Sequence, residues 1–189
     1  MKTIIGLLIS ALFFDSGAPV PSGSNTLTVY IIRHGEKPKK GDNLSCAGLN
    51  RALALPPVLT KLFGKPDYTY VPAMDTGVHT SSVRMFQTVT PFAVQQGLDI
   101  NSQFPESDTT AAATDVLTRR GVVLMVWEHT NIPGLARQLG VPDTYDLTWK
   151  GTDFDRIWII TFKAGANNSL QFSRFVKGRE GINPSDTCK

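Results

Sequence analysis

No apolar run in this chain approaches the roughly 20 residues that a membrane-crossing helix needs, so no stable membrane span is expected. Charge of one sign is also scarce. Nineteen Lys and Arg against 16 Asp and Glu leave a formal charge of +3, and the densest basic cluster is Lys37 with Lys39 and Lys40. That is too mild to argue for nucleic acid, although a local positive field attracts small anions. Two cysteines and three histidines, with no carboxylates at metal-ligand spacing beside them, exclude a zinc or magnesium site recognisable from spacing. Whether Cys46 and Cys188 pair is left open, because their separation in space is not legible from sequence. There is no internal repeat and no linker.

What is present at the start is Lys2 followed by an uncharged, largely apolar run from Ile4 to Phe14 and then small residues. This pattern predicts a secretory leader over residues 1–24, cleaved between Ala18 and Ser24, and a secreted or periplasmic location. Residues 25–189 are then one domain, long enough to bury a core and short for two.

Within that domain, strand and helix signals alternate. Leu27 to Ile32, apart from Thr28, and Val122 to Trp127 are runs of apolar and aromatic residues, as strands buried on both faces are. Tyr68 to Val71, Arg156 to Phe162 and Leu170 to Val176 read as further strands. Helical spacing runs from Leu49 to Leu62, where Pro56-Pro57 predicts a kink or restart, from Ser81 to Gln96, from Asp108 to Arg119, and from Asn131 to Leu139. The expected fold is a three-layer α/β/α sandwich with a mostly parallel central sheet.

Ligands of such sheets gather at the carboxyl ends of the strands. His34 follows the first of these strands and His129 the second, and Arg33 precedes His34 directly. Arg33 stays charged, so at a strand end it needs an anion or water. Glu36 is one candidate, as a structural ion pair; a phosphate held by convergent arginines is the other.

These residues resemble a family. "RHGE" at Arg33 to Glu36 is similar to the signature of the histidine phosphatase superfamily, which includes the phosphoglycerate mutases. The likeness continues in order through "DNLSCAGLNRA" at Asp42 to Ala52, "SVRMFQTVTPFA" at Ser82 to Ala93 and "VLMVWEHTNIPGLARQLG" at Val123 to Gly140. Within the superfamily, the short loops and leader most resemble small exported bacterial members.

The resemblance implies a phosphoglycerate mutase-like fold and roles for particular residues. His34 would attack phosphorus to give a phosphohistidine that water hydrolyses, with neighbouring arginines favouring its neutral, nucleophilic form. Arg33, Arg84 and His129 would bind the phosphoryl oxygens, and Thr130 would donate to phosphate or cap the helix behind it. Glu36 would either orient Arg33 or His34, or extend an ion-pair network. No metal and no cofactor is implied. Relatives that cleave phosphate esters draw a proton for the leaving oxygen from a carboxylate, either in a loop after the arginine helix or directly after the second histidine. Thr130 occupies the second position here. Glu106, in "QFPESD", stands near the first, in a shorter loop, with Asp108 behind it. The expected partner is a small phosphorylated substrate, and nothing in the sequence bears on oligomeric state. Two functions follow: an exported phosphatase, or a phosphate-binding or scaffold protein that keeps the pocket with little turnover.

Overall fold

The computed structural model describes residues 25–75 and 77–188; the leader expected over residues 1–24 lies outside the described residues. Strand β1 is Leu27–Arg33 and strand β4 is Gly121–Trp127, and they pair in parallel at the middle of a six-stranded sheet. Beside β4 lie β2 (Tyr68–Tyr70) and then β3 (Ile100–Asn101), both parallel to it. Beside β1 lie β5 (Arg156–Ala164), antiparallel to it, and then β6 (Leu170–Arg179), giving the order β3-β2-β4-β1-β5-β6. The expected mostly parallel sheet is therefore what forms.

The alternation of side chains along the central strands builds two cores, because successive residues face opposite ways. Leu27, Val29 and Ile31 of β1, with Val123, Met125 and Trp127 of β4, face helices α3 (Thr109–Val116) and α4 (Ile132–Gln138). Ile32, Leu124 and Val126 face the other way, toward α1 (Cys46–Phe63) and α2 (Val83–Gln96). That is the three-layer arrangement. No helix among the described residues is long and apolar enough to cross a membrane.

Helix α1 departs from expectation. It starts at Ser45, whose hydroxyl accepts from Gly48 N at 3.2 Å, and runs through Pro56 and Pro57 to Gly64 without restarting. A proline inside a helix removes one backbone donor and crowds the preceding turn, at a cost of about 3 kcal/mol. Leu55, Pro56 and Leu59 are all buried against the sheet, and burial of such side chains offsets the local penalty. β3, only two residues long, was not expected, and a 3₁₀ turn at Ala166–Asn168 links β5 to β6.

After β6 the chain turns back across the first half of α1. Arg51, 3% exposed, receives three carboxylates there: Glu36, bound through Nε and Nη2 at 2.8–3.1 Å, Glu180 at 2.6 Å and Asp155 at 3.3 Å. Its Nη2 also donates to Ile182 O at 3.2 Å. Asn50 Nδ2 donates to Ser185 O and Thr187 O, and a disulfide joins Cys188 to Cys46, with 4.7 Å between the Cα atoms. Removing a buried cation leaves its anions uncompensated, so Arg51→Met is expected to cost about 3–5 kcal/mol of folding stability. Burial pushes the Glu180 carboxyl up to about 8 against the pull of Arg51, so the loss should shrink as pH falls from 8 toward 5 and Glu180 takes up a proton. Urea titrations at pH 5 and pH 8 check this; equal losses at both would show that the charges are not what Arg51 holds together.

Candidate active site

The parallel register places Arg33 opposite Trp127, so the two chains leave the sheet side by side, and His34 N donates to Trp127 O at 3.2 Å. The residues that follow, His34 on one chain and Glu128 and His129 on the other, are thereby brought together. Arg33 and His34 are both fully buried.

Each ring nitrogen of His34 has one close partner. Nδ1 lies 2.6 Å from Gly35 O, and Nε2 lies 2.6 Å from Glu128 Oε2. A backbone carbonyl only accepts, so Nδ1 carries a hydrogen and Nε2 is the atom free for chemistry. Glu128 uses its other oxygen, Oε1, to accept from His129 N at 3.1 Å and to bond His129 Nδ1. Arg33 Nη2 stands 3.9 Å from that oxygen, within ion-pair range but without a hydrogen bond. Burial pushes the Glu128 carboxyl up, but the hydrogen bond and charge of His34, with His129 and Arg33 behind them, hold it down at about 2. Burial lowers the Arg33 guanidinium to about 10, with Glu128 the largest opposing influence and Arg84 a smaller one acting with burial. The His129 ring is likewise lowered, by burial and by Arg33, against the pull of Glu128.

The sequence predicts arginines around His34, and a carboxylate, that of Glu128, lies against its Nε2 as well. The carboxylate nearest Arg33 is likewise Glu128, and Glu36 belongs to the Arg51 cluster instead. Sequence reasoning passed over Glu128. A signal was available, because a charge directly behind an apolar strand that pairs with the strand of Arg33 and His34 must emerge beside them.

The wall of this site comes from the segment between α4 and β5. Gly151 O accepts from Arg33 Nη1 at 2.6 Å, and the Arg33 Cζ lies 3.8 Å from the centre of the Phe154 ring, a cation–π contact. The same ring meets His34 edge-on at 5.9 Å between centroids. Gly151 approaches His129 so closely that a Cβ there would stand 3.1 Å from Nε2. Neither Gly151 nor Phe154 belongs to a motif, so neither was visible in the sequence. With Nη1 satisfied, Arg33 Nε and Nη2 are buried without a hydrogen-bond acceptor. These two donors form one edge of the guanidinium fork, the edge that meets two oxygens of a phosphate or carboxylate.

The glycines of the two motifs have a steric reason. A Cβ on Gly35 would lie 2.8 Å from Gly48 O, and one on Gly48 would lie 2.2 Å from Glu36 O. The loop after His34 therefore rests backbone to backbone on the first turn of α1, where Ser45 N donates to Glu36 O at 2.9 Å. Gly35 N also donates to Thr88 Oγ1 at 2.8 Å, and Thr88 Oγ1 donates to Arg84 O, which ties α2 to the same loop.

Arg84 sits in the first turn of α2. Its Nη2 donates to Gly41 O at 2.6 Å and its Nε to Asn43 O at 3.3 Å, with Asp42 3.8 Å away. Its guanidinium is thus aimed by the 41–43 loop, close enough to act on the charge of Arg33. Glu106 reaches α2 as well: its Oε2 accepts from Ser82 Oγ at 3.2 Å, and its carbonyl accepts from Trp127 Nε1 at 2.9 Å. The second bond ties the Glu106 backbone to the indole of Trp127, the last residue of β4. Asp108 is committed elsewhere, because its side chain caps α3 by accepting from Ala111 N at 3.0 Å. Thr130 lies exposed in the turn before α4, and Asn131, at the N-cap, makes no side-chain capping bond. Lys37, Lys39, Lys40 and His79 are exposed.

No family model and no curated protein matches the sequence. Solved structures do. A mycobacterial glucosyl-3-phosphoglycerate phosphatase, in complex with inorganic phosphate, aligns with a TM-score of 0.57 at 13% identity, over 82% of this chain and 99% of that one. The protein histidine phosphatase SixA, complexed with tungstate, aligns at 0.55 and 14% identity, over 78% and 95%. A phosphoglycerate mutase from Plasmodium falciparum aligns at 0.50 and 15% identity, over 79% and 90%. The fold of this chain is the phosphoglycerate mutase-like fold of the histidine phosphatases.

Proposed function

We propose that this chain, folded as the histidine phosphatases are, is an exported phosphatase that hydrolyses a small phosphate monoester through a phosphohistidine on His34. One observation carries the reading. The free edge of the Arg33 fork, Nε with Nη2, is buried without an acceptor beside a histidine whose Nδ1 is tied to backbone. Such an edge calls for a tetrahedral or planar oxyanion, and the tied ring directs Nε2 at whatever the edge holds. The phosphate and tungstate bound to the phosphatases of this fold are oxyanions of that kind.

In this reading Nε2 attacks phosphorus as the bond to the leaving oxygen breaks. Arg33, Arg84 and His129 neutralise the shifting charge, and positioning with electrostatics supplies most of the catalysis. Water then attacks the phosphohistidine and returns the ring. Lys2 and the apolar run from Ile4 to Phe14 support export of this chemistry from the cytoplasm.

The test is release of inorganic phosphate by the purified chain from aryl, alkyl and sugar phosphates, with tungstate as a competitor. Release that tungstate suppresses supports the phosphatase. A second reading, a phosphate-binding protein with little turnover, is favoured by the contact of Glu128 with His34, which occupies the attacking Nε2. Tungstate binding without release from any compound would select it.

Glu106 is our candidate for the proton donor, on its backbone tie to Trp127 and its side-chain bond with Ser82. Phenolates depart without help, whereas alkoxides need a proton, so general acid catalysis acts chiefly on alkyl phosphates. Glu106→Gln is expected to slow alkyl phosphates by roughly a hundredfold and aryl phosphates far less. Rates plotted against leaving-group pKa for both proteins check this, and parallel plots would remove Glu106 from the reaction.

A further inference from the structure

We propose that Glu128 holds the place of the substrate's phosphoryl group at rest and takes the Nε2 proton of His34 as substrate displaces it. The proposal rests on the phosphohistidine reading and adds a catalytic residue to it. Its basis is where the carboxylate lies. Glu128 Oε2 is 2.6 Å from His34 Nε2, Oε1 bonds the backbone and ring of His129, and Arg33 Nη2 is 3.9 Å from Oε1. One carboxylate thus faces, with two oxygens, the attacking His34 and two of the side chains, Arg33 and His129, that would bind a phosphoryl group. Phosphorus cannot approach Nε2 while an oxygen lies within hydrogen-bonding distance of it.

One proton lies between Nε2 and Glu128, while Nδ1 donates to the Gly35 carbonyl; in this proposal that proton rests on the ring, which then carries hydrogen on both nitrogens. A ring in that state has no lone pair with which to attack. The acceptor nearest the obstructing proton is the group that must leave. A phosphate dianion entering beside Arg33 repels the Glu128 charge, and transfer of the Nε2 proton to Glu128 removes both obstacles in one step. The ring becomes neutral, and the carboxyl becomes uncharged and able to turn away from the anion.

The step balances. The N–H bond of His34 breaks and an O–H bond forms on Glu128; the N–P bond then forms as the P–O bond to the leaving group breaks, with the leaving oxygen taking a proton from Glu106, the donor proposed above. Water supplies that proton back as it splits the N–P bond. When phosphate departs, Glu128 returns its proton to Nε2 and closes on the ring again.

Two variants and one measurement on the unaltered protein test this. Glu128→Gln keeps shape without charge, and Glu128→Ala removes the group. Both are expected to bind tungstate about tenfold or more tightly than the unaltered chain, by calorimetry, because an internal anion no longer competes. Histidine ¹⁵N spectra at pH 7, with His34 assigned by its loss in His34→Ala, should show two protonated ring nitrogens in the unaltered resting protein and one in Glu128→Gln. If the unaltered ring carries a single proton, or if both variants bind tungstate no more tightly, Glu128 does not have this role. If tungstate binds none of the three proteins, the phosphohistidine reading itself falls, a result distinct from the first two.

Discussion

His34→Ala is expected to lose turnover by roughly four orders of magnitude or more, the scale of effect seen when a covalent nucleophile is removed. Mixing the unaltered chain with a reactive aryl phosphate and quenching in alkali should leave phosphate on His34, because phosphohistidine survives alkali and is lost in acid. The variant should carry no label. Nδ1 is held 2.6 Å from Gly35 O, so a single ring nitrogen remains to attack, and the ring is fully buried behind Ile31, Ile32 and Arg33 of β1, which limits its motion. Arg33 keeps its bonds to the 150–155 segment in the variant, so phosphate should still bind even though it is no longer transferred. Urea unfolding separates this outcome from collapse of the fold. Undiminished turnover in folded His34→Ala would show that another residue attacks phosphorus, or that water attacks directly.

Replacing both cysteines, Cys46→Ser with Cys188→Ser, is expected to cost about 3–5 kcal/mol of folding stability. The disulfide spans a sequence separation of 142 residues. Closing a loop of that length removes about 5 kcal/mol of chain entropy from the unfolded state, and measured values usually fall somewhat short of this figure. The lower bound reflects the rest of the C-terminal segment. Glu180, Ile182, Ser185 and Thr187 hold the same stretch against Arg51 and Asn50 without the sulfur bridge. Turnover by the folded fraction should change only a few-fold, because Arg33 and His34 are fixed by the sheet and by Gly48 and Thr88 rather than by the tail. Denaturant titration with and without reductant measures the loss. A change below about 1 kcal/mol would show that the Arg51 cluster alone anchors the tail.

Much of this architecture follows from local sequence. Leu27 to Ile32, Thr28 apart, and Val122 to Trp127 carry apolar and aromatic residues on both faces, the pattern of a strand covered on both sides, so the central pair and the layers around it are legible. The helix bounded by Gly97 and the cap at Asp108 follow in the same way from backbone chemistry. The placement of Arg33 and His34 at a strand end, and of Gly35 beside them, is also written in four consecutive residues.

What only the tertiary structure decided is how those residues are partnered, because partners come from segments far away in the chain. Glu36 could have paired with Arg33, but α1 brings Arg51 to it, and β6 brings Glu180 to the same guanidinium. Cys46 and Cys188 are too far apart in sequence for any spacing rule, and the return of the tail across α1 joins them. Pro56 and Pro57 argue locally for a break, which burial against the sheet overrides. Glu128 is the clearest case. A glutamate before a histidine says nothing by itself, and its meaning depends on the parallel register that sets Trp127 against Arg33 and so delivers the carboxylate to Nε2 of His34. Local sequence determines backbone conformation and which face is apolar, since both are short-range; the charge a side chain meets depends on register and packing, which the fold alone supplies.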